Sequence, residues 1–185
     1  MKKKITIITL FFVSIICIRT FFFRIYIVEG NSMAPSLQDG SIILVSLFAY
    51  PFRIPGLKTE FQLFSKWQPK RLSIVLFEDP KQEMLIKRLV GLPGDEYEFK
   101  NDKVYIQSKA LSEGYLEEGV RTVPPSDSAS ILPAHPFRVI FREGQIPKDY
   151  FLVLGDNRSN TTDSRKIGLI PKIKLRGELL FLLIK

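Results

Sequence analysis

The chain has 185 residues, 45% of them hydrophobic, and a formal net charge of +8. This length suffices for one compact domain with a core and a short appendage, and the composition excludes a disordered, collagen-like or disulfide-framework protein. Because Cys17 is the single cysteine, no intramolecular disulfide can form, and a domain outside the cytoplasm would be held together by packing alone.

The first 24 residues predict a membrane anchor. They carry five of the positive charges and no acid, so the basic character of the chain needs no nucleic-acid partner. Residues 5–23 form an apolar run interrupted by Arg19, and as a helix this run would match the roughly 30 Å of bilayer hydrocarbon. Lys2–Lys4 predict a cytoplasmic N-terminus. A cleavable signal peptide is the competing interpretation, but the bulky residues at 21–26 do not suit a cleavage site.

Residues 25–185 predict a mainly β domain, an antiparallel sheet of barrel-like or sandwich form that follows one N-terminal transmembrane helix. Short apolar or alternating runs rich in Val, Ile, Leu and Phe are separated by Pro, Gly and Asp, and helical periodicity is weak. The predicted strands are Ile42–Val45, Ser73–Phe77, Leu85–Val90, Val104–Gln107, Phe137–Phe141, Phe151–Leu154 and Glu178–Ile184.

Two stretches show no clear strand pattern. Ser112–Pro136 has several acids and weak periodicity, and predicts a long surface loop. Phe48–Trp67 is aromatic and basic, and two interpretations of it stay open: core plus connecting loop, or a rim resting on the membrane surface.

Three polar segments contain residue types that can carry chemistry. Gly30–Leu37 contains Ser32, Ile86–Asp95 contains Lys87, and Gly155–Arg165 is rich in Asp, Asn and Arg. Each segment also has an ordinary structural explanation, as a turn or as the solvated end of a strand. The spacing alone therefore leaves a serine–lysine pair as one alternative among several.

A serine nucleophile requires a base, and the candidates are few. The single histidine, His135, lies in the predicted loop. A lysine can serve only when neutral, and lowering its pKa from about 10.4 to about 8 takes about 3 kcal/mol of desolvation. Lys87 is flanked by apolar residues, and strand alternation predicts that Lys87 faces a dry interior while Arg88 faces water.

The segments resemble the motifs of bacterial type I signal peptidases, in the order of that family. Ser32–Leu37 resembles the nucleophile motif, Lys87–Asp95 is similar to the general-base motif, and Gly155–Arg165 resembles the third motif. Asp39–Tyr50 and Pro147–Phe151 are similar to the segments that follow the first motif and precede the third.

The resemblance implies a membrane-bound serine endopeptidase that removes N-terminal signal peptides from exported preproteins. Ser32 would attack the scissile carbonyl, neutral Lys87 would accept its proton, and the backbone N–H of Ser32 would donate to the oxyanion. Thr161, at a position that is commonly serine, would orient the lysine, and Asp163 and Arg165 would form a supporting ion pair.

The resemblance also implies a place in the cell and a set of partners. Residues 1–24 would be the cytoplasmic lysines and a single span of the cytoplasmic (inner) membrane, and residues 25–185 would form the peptidase domain on the outer face. The implied partners are preproteins with signal peptides and the lipid bilayer. No cofactor, metal or nucleic acid is expected, since one histidine and one cysteine do not make a ligand cluster.

The implied substrate would bind in an extended conformation, by strand addition, with small residues such as alanine at the first and third positions before the cut. The residues expected to bind it are Tyr26, Val28, Gly30, Met33, Leu85 and Ile86. Gly30 is also a departure, because some family members have a serine there whose hydroxyl donates a second hydrogen bond to the oxyanion.

Three other functions stay open. A specialised relative that matures a single pilin or conjugation protein would share the serine and lysine. A self-cleaving repressor would need a DNA-binding module where the apolar run stands. A catalytically inactive, membrane-anchored binding protein would have no chemical reason to keep both Ser32 and Lys87.

Overall fold

A computed structural model describes residues 7–12, 22–48, 50, 52–53, 60–61, 69–125 and 142–185. Residues 7–12 are helical. Within these ranges, the helices are all too short or too polar to cross a bilayer. Most of the predicted anchor, most of the stretch Phe48–Trp67, His135 and the predicted strand Phe137–Phe141 lie outside the described residues.

The described domain is built of antiparallel β-strands, which confirms the mainly β, antiparallel part of the predicted fold class. The N-terminal transmembrane helix stays a prediction. One α-helix, α1 (Ser164–Ile167), and a 3-10 turn (Lys172–Lys174) interrupt the strands. The strands are β1 (Phe23–Ile27), β2 (Ile42–Ser46), β3 (Phe52–Arg53), β4 (Glu60–Phe61), β5 (Ile74–Glu78), β6 (Met84–Gly91), β7 (Glu96–Lys100), β8 (Lys103–Ile106), β9 (Lys109–Ala110), β10 (Glu143–Gln145), β11 (Tyr150–Leu154), β12 (Ile170–Pro171) and β13 (Leu175–Ile184).

The strands form three sheets. The largest has seven strands in the order β1-β2-β13-β5-β6-β11-β12, a second has four in the order β10-β7-β8-β9, and β3 pairs with β4. In the large sheet β6 lies between β5 and β11, so Lys87 is paired with Val75 on one side and Arg88 with Leu154 on the other. This central position provides the burial that a neutral lysine requires.

Six of the predicted strands are present with shifted ends, and two substantial strands were missed. Strand β1 begins at Phe23, within the apolar run that was interpreted as the anchor, and its side chains alternate too weakly to be told from that run. Strand β7 has the sequence Glu-Tyr-Glu-Phe-Lys, which looks polar overall. Its two aromatic residues, Tyr97 and Phe99, nevertheless enter the core because alternate positions of a strand face the same side.

Three apolar clusters fill the interior. One of them lies under β1 and β2 and includes Met33 and Leu37 from the turn between these strands. The opposite face of this part of the sheet is apolar but exposed. Its register aligns Ile25, Leu44 and Phe181 in one row across β1, β2 and β13, and Ile25 and Phe181 are 48% and 64% exposed. We call this surface the outer apolar face.

Candidate active site

The turn between β1 and β2 presents Ser32. Its two ends are joined by hydrogen bonds from Val28 N–H to Ser41 O and from Gly40 N–H to Val28 O, both 2.9 Å. Gly30 has a φ of +80°, a conformation that glycine adopts without steric cost, and its N–H donates to Asp39 Oδ1 at 2.7 Å. The backbone around Ser32 is therefore fixed by local contacts.

Lys87 extends from β6 to meet this turn. Its Nζ lies 2.8 Å from Ser32 Oγ and 2.7 Å from the carbonyl oxygen of Ile86, and the residue is 3% exposed. Burial lowers the pKa of Lys87 to about 8, while the carboxylates of Asp163 and Asp156 act in the opposite direction. A hydroxyl and an amine with a lowered pKa are thus in hydrogen-bond contact, the arrangement that general-base activation of a serine requires.

The expectation that Arg88 faces water was wrong. Arg88 is 9% exposed. Its guanidinium makes a bidentate ion pair with Asp156, at 2.8 and 2.6 Å, and donates to the carbonyl oxygen of Leu72 at 2.8 Å. Because β6 is an inner strand, chain segments from the third motif cover the face opposite Lys87, and the second cation is satisfied by pairing instead of by solvent.

The third motif is docked on the nucleophile turn. The backbone N–H of Asn157 donates to Ser32 O, and its side-chain amide donates to Asn31 O, both at 3.1 Å. A Cβ added at Gly155 would meet Thr161 Oγ1 and would lie 2.7 Å from Ser32 O. Glycine at 155 therefore permits the close approach of the two segments.

Asp163 organises the same segment from inside. It is fully buried and accepts hydrogen bonds from Gly155 N–H at 3.0 Å and, as the N-cap of α1, from Arg165 N–H at 3.1 Å. The guanidinium of Arg165 contacts both oxygens of Asp163, at 3.0 and 2.8 Å. The structure thus brings Asp163 and Arg165 together as an ion pair. Asp163 follows Thr161 by two positions in the chain.

Thr161 has an unusual environment. It is 5% exposed, and its Oγ1 is the one buried side-chain polar atom, among the described residues, that has no hydrogen-bond partner. Thr161 lines a cavity of about 330 Å³ that also contacts Gly30, Ser32 and Lys87. Thr161 therefore combines a buried, unpartnered hydroxyl with a position in the lining of the same cavity as Lys87.

A second cavity, of about 280 Å³, is also lined by Ser32 and Lys87. Its walls are the end of β1 with the following turn and the first half of β6, and its floor includes Ile43 and Leu76. Four of the residues expected to bind substrate line it: Tyr26, Val28, Leu85 and Ile86. Met33 lines neither of these two cavities, because its side chain is fully buried in the cluster under β1 and β2.

One part of the site had no signal in the sequence. Residues 113–123, which we call the strap, cross over the third motif. Glu113 binds the guanidinium of Arg158, which also contacts Thr122, and the ring of Tyr115 lies 3.9 Å from the Arg88 guanidinium carbon. A buried arginine requires an acidic partner. Which acidic residue becomes that partner depends on contacts between segments that are distant in the chain, here Glu113 and Arg158. No set of His, Cys, Asp and Glu side chains within the described ranges is arranged to hold a metal ion.

Replacing Lys87 with methionine is expected to stabilise the folded chain at pH 7 by up to about 3 kcal/mol, because burial penalises the ammonium. The folded pKa of Lys87, about 8, lies below the ordinary lysine value of 10.5. The unfolded chain therefore binds more protons between these values, and the penalty shrinks as the pH rises through that window. Thermal unfolding at pH 7 and pH 10.5 measures this, with Lys70→Met, at an exposed lysine, as the matched control. An equal gain at both pH values would contradict the assignment of the penalty to a charge.

The chain is similar to proteins of known function over most of its length. The model of the family described as signal peptidase, peptidase S26, matches residues 1–184. Signal peptidase I P of Bacillus subtilis subsp. natto is 36% identical over 168 residues, which are 89% of this chain and 80% of that protein. Signal peptidase IB of Staphylococcus aureus is 31% identical over 191 residues, 98% of this chain and 90% of that protein.

A signal peptidase I of known structure, from Enterococcus faecalis V583, is 29% identical and aligns with a TM-score of 0.48, covering 63% of this chain and 100% of that one. The family match extends over nearly the whole chain, and the Staphylococcus aureus relative is above 30% identity over 98% of it. The chain therefore belongs to the signal peptidase, peptidase S26 family.

Proposed function

We propose that this chain is a serine endopeptidase that removes N-terminal signal peptides from exported preproteins, with Ser32 as nucleophile and Lys87 as general base. The observation that carries the proposal is the 2.8 Å contact between Ser32 Oγ and the buried Lys87 Nζ. Membership of the family supports the reaction class, and the names of the relatives support the substrate class.

The hydrogen-bond geometry suits a neutral lysine. A neutral amine has one lone pair and two N–H donors. The lone pair would accept the Ser32 hydroxyl proton as Oγ attacks the scissile carbonyl, while one N–H donates to Ile86 O. The resulting ammonium would then protonate the leaving amine. In the second half of the reaction, neutral Lys87 would take a proton from water as the water attacks the acyl group on Ser32, and would return that proton to Ser32 Oγ as the C–O bond breaks. The backbone N–H of Ser32 would donate to the oxyanion.

The cavity of about 280 Å³ suits the part of an extended peptide substrate that precedes the scissile bond. Strand β1 is at the edge of the large sheet, and the wall of the 280 Å³ cavity continues from β1 into the turn before Ser32. An edge strand can accept main-chain hydrogen bonds from a substrate strand. The small volume of the cavity favours residues such as alanine before the cut.

The proposed roles of Ser32 and Lys87 are tested by cleavage of a purified preprotein with the detergent-solubilised full chain. Ser32→Ala and Lys87→Ala are each expected to lower kcat/KM by three orders of magnitude or more, as roughly expected for nucleophile and base removal, while Lys70→Ala leaves it unchanged. Since the neutral amine is the base, kcat/KM should rise with pH and level off above the Lys87 pKa of about 8.

Two results would remove parts of this proposal. Cleavage by the Lys87→Ala variant would exclude Lys87 as the base. Inactivity of the unmodified chain on several general preproteins would exclude a broad signal peptidase and favour a specialised maturation enzyme or an inactive binding protein.

We further propose that Thr161 orients the base. In the neutral state, Lys87 has one N–H beyond the one that Ile86 O accepts. Thr161, whose buried Oγ1 has no hydrogen-bond partner, lines the same cavity as Lys87. A hydrogen bond between them would satisfy both groups and aim the lone pair at Ser32.

Thr161→Val, which keeps the shape and removes the hydroxyl, is expected to lower kcat about tenfold with little change in KM, the worth of one hydrogen bond. Thr161→Ser keeps the hydroxyl and should retain most of kcat. Steady-state kinetics, with the melting temperature as a control for folding, measures both. Full activity of the valine variant would exclude an orienting role.

We propose a membrane location with a cytoplasmic N-terminus. The apolar run of residues 5–23 and the Lys2–Lys4 cluster support it. The outer apolar face adds a second argument. Its residues on β1 and β13 are exposed, namely Phe23, Ile25, Ile27 and Phe181. Contiguous exposed apolar surface indicates an interaction surface.

Full-length chain in cell membranes is expected to resist extraction at alkaline pH, because an apolar span of this length is held by the bilayer. Protease added to the outer side should degrade residues 25–185 and leave an N-terminal tag protected. Replacing Lys2–Lys4 with glutamate is the matched variant, and it should reduce the protected fraction. Release of the unmodified chain by alkaline extraction would exclude a membrane span.

A further inference from the structure

Six buried or half-buried charges on β6, in the third motif and in the strap form three ion pairs. Arg88 pairs with Asp156 and Arg165 with Asp163, at closest distances of 2.6 and 2.8 Å. Arg158 pairs with Glu113 of the strap. The pairs carry three positive and three negative charges, so the surroundings of the lysine are neutral as a whole.

Two of these carboxylates act directly on the lysine. Asp156 and Asp163 are 2% and 0% exposed, and both raise the pKa of Lys87 against the effect of burial. An unpaired carboxylate in this interior would favour the ammonium form, because an opposite charge close by stabilises the charged state of a buried group. The site therefore contains two groups that oppose the neutral amine that the reaction needs.

Each of these carboxylates is met by one guanidinium in bidentate contact. Arg88 contacts Asp156 through Nε and Nη2, and Arg165 contacts Asp163 in the same way. Arginine stays charged at any pH at which the protein is folded. Its charge can therefore cancel that of the carboxylate without a titration of its own.

The remaining charged groups at the cleft are on its rim. Glu29 and Lys166 line the cavity that contains Ser32 and Lys87, and both are exposed. Water and salt screen such groups far more than buried ones. On the strap, the charge of Glu113 is balanced by Arg158, and Tyr115 packs on Arg88, with burial raising the pKa of its phenol.

We propose that the guanidinium groups of Arg165 and Arg88 keep Lys87 able to act as a base, because each neutralises a carboxylate that would otherwise hold the lysine as an ammonium. Both arginines are positioning residues that act through Lys87. The inference rests on the proposed roles of Ser32 and Lys87, and it assigns to the two ion pairs an electrostatic function beyond holding the third motif in place.

The sign of the effect separates this role from a structural one. Removing the arginine charge leaves a carboxylate that favours the ammonium, so the rise of kcat/KM with pH moves to higher pH. Removing the carboxylate charge leaves an arginine that disfavours the ammonium, so the rise moves to lower pH. Loss of a purely structural contact would lower activity in both variants without opposite displacements.

The experiment compares pH profiles of kcat/KM for the detergent-solubilised full chain and four variants. Arg165→Gln is expected to move the acid limb up by about one pH unit and Asp163→Asn to move it down by a similar amount. The double variant should return it close to the original position. Arg165→Lys keeps the charge and loses the bidentate geometry, so its acid limb should stay in place even where kcat falls. Displacement of both single variants in the same direction, or of neither, overturns the proposal.

A second measurement does not depend on cleavage. In the Ser32→Ala background, the rate at which an acylating reagent modifies Lys87 reports the fraction of neutral amine as the pH is varied. Arg165→Gln and Asp163→Asn should displace this titration in opposite directions, and unchanged titrations overturn the proposal. Where a variant at Arg165 does not fold, Arg88→Gln and Asp156→Asn carry the same test. Failure of the proposed function appears separately, as an inactive parent chain or as cleavage without Lys87.

Discussion

The geometry of the site depends on burying one lysine amine against one serine hydroxyl. Lys87 is 3% exposed and contacts Ser32 Oγ at 2.8 Å, and neither condition is easily met by a side chain that prefers water. Desolvating an ammonium costs several kcal/mol, and this cost lowers the pKa of Lys87, so that the amine can be neutral at moderately alkaline pH. An inner strand of a seven-stranded sheet provides such an environment, because both of its edges are paired and its residues from Lys87 onward are buried.

Burial of β6 also removes water from Arg88, and the third motif supplies the partner of this arginine. Alternation along the strand places Arg88 opposite Lys87, so the same burial that neutralises the lysine also removes water from the arginine. Asp156 supplies the missing partner, and Asp163 with Arg165 repeats the arrangement beside it. The strap adds two contacts to this network: Glu113 pairs with Arg158, and the ring of Tyr115 packs on Arg88. The site is therefore held by interactions between segments that are far apart in the chain.

The position of the nucleophile links this chemistry to its surroundings. Ser32 follows edge strand β1 within one short turn, and β1 follows the apolar run that predicts an anchor. The exposed side chains of the outer apolar face lie on the same strands. Under the proposed function, this geometry would bring the scissile bond of a membrane-inserted signal peptide to the serine without a long excursion from the bilayer.

The sequence contained enough to predict the fold class, most of the central strands and the family. These features depend on local information: period-two patterns such as that of β2, and short motifs around Ser32, Lys87 and Gly155. Strand β7 was missed because its glutamates mask two core aromatic residues, and β1 because its apolar residues merge with the preceding run. The roles of Ser32, Lys87, Thr161, Asp163 and Arg165 stay predictions.

Other features were decided by tertiary structure. The side chain of Met33 is buried in the cluster beneath the turn, and its contact with substrate stays a prediction. Arg88 was expected in water, but the third motif and the strap cover it. The contacts of Glu113 with Arg158 and of Gly155 with Ser32 join residues that are 45 and more than 100 positions apart. The sequence by itself determined which residue types could form the site, because propensity and motif are local properties. The fold alone decided which of them are buried and paired, because burial and ion pairing depend on segments that meet only when the chain has folded.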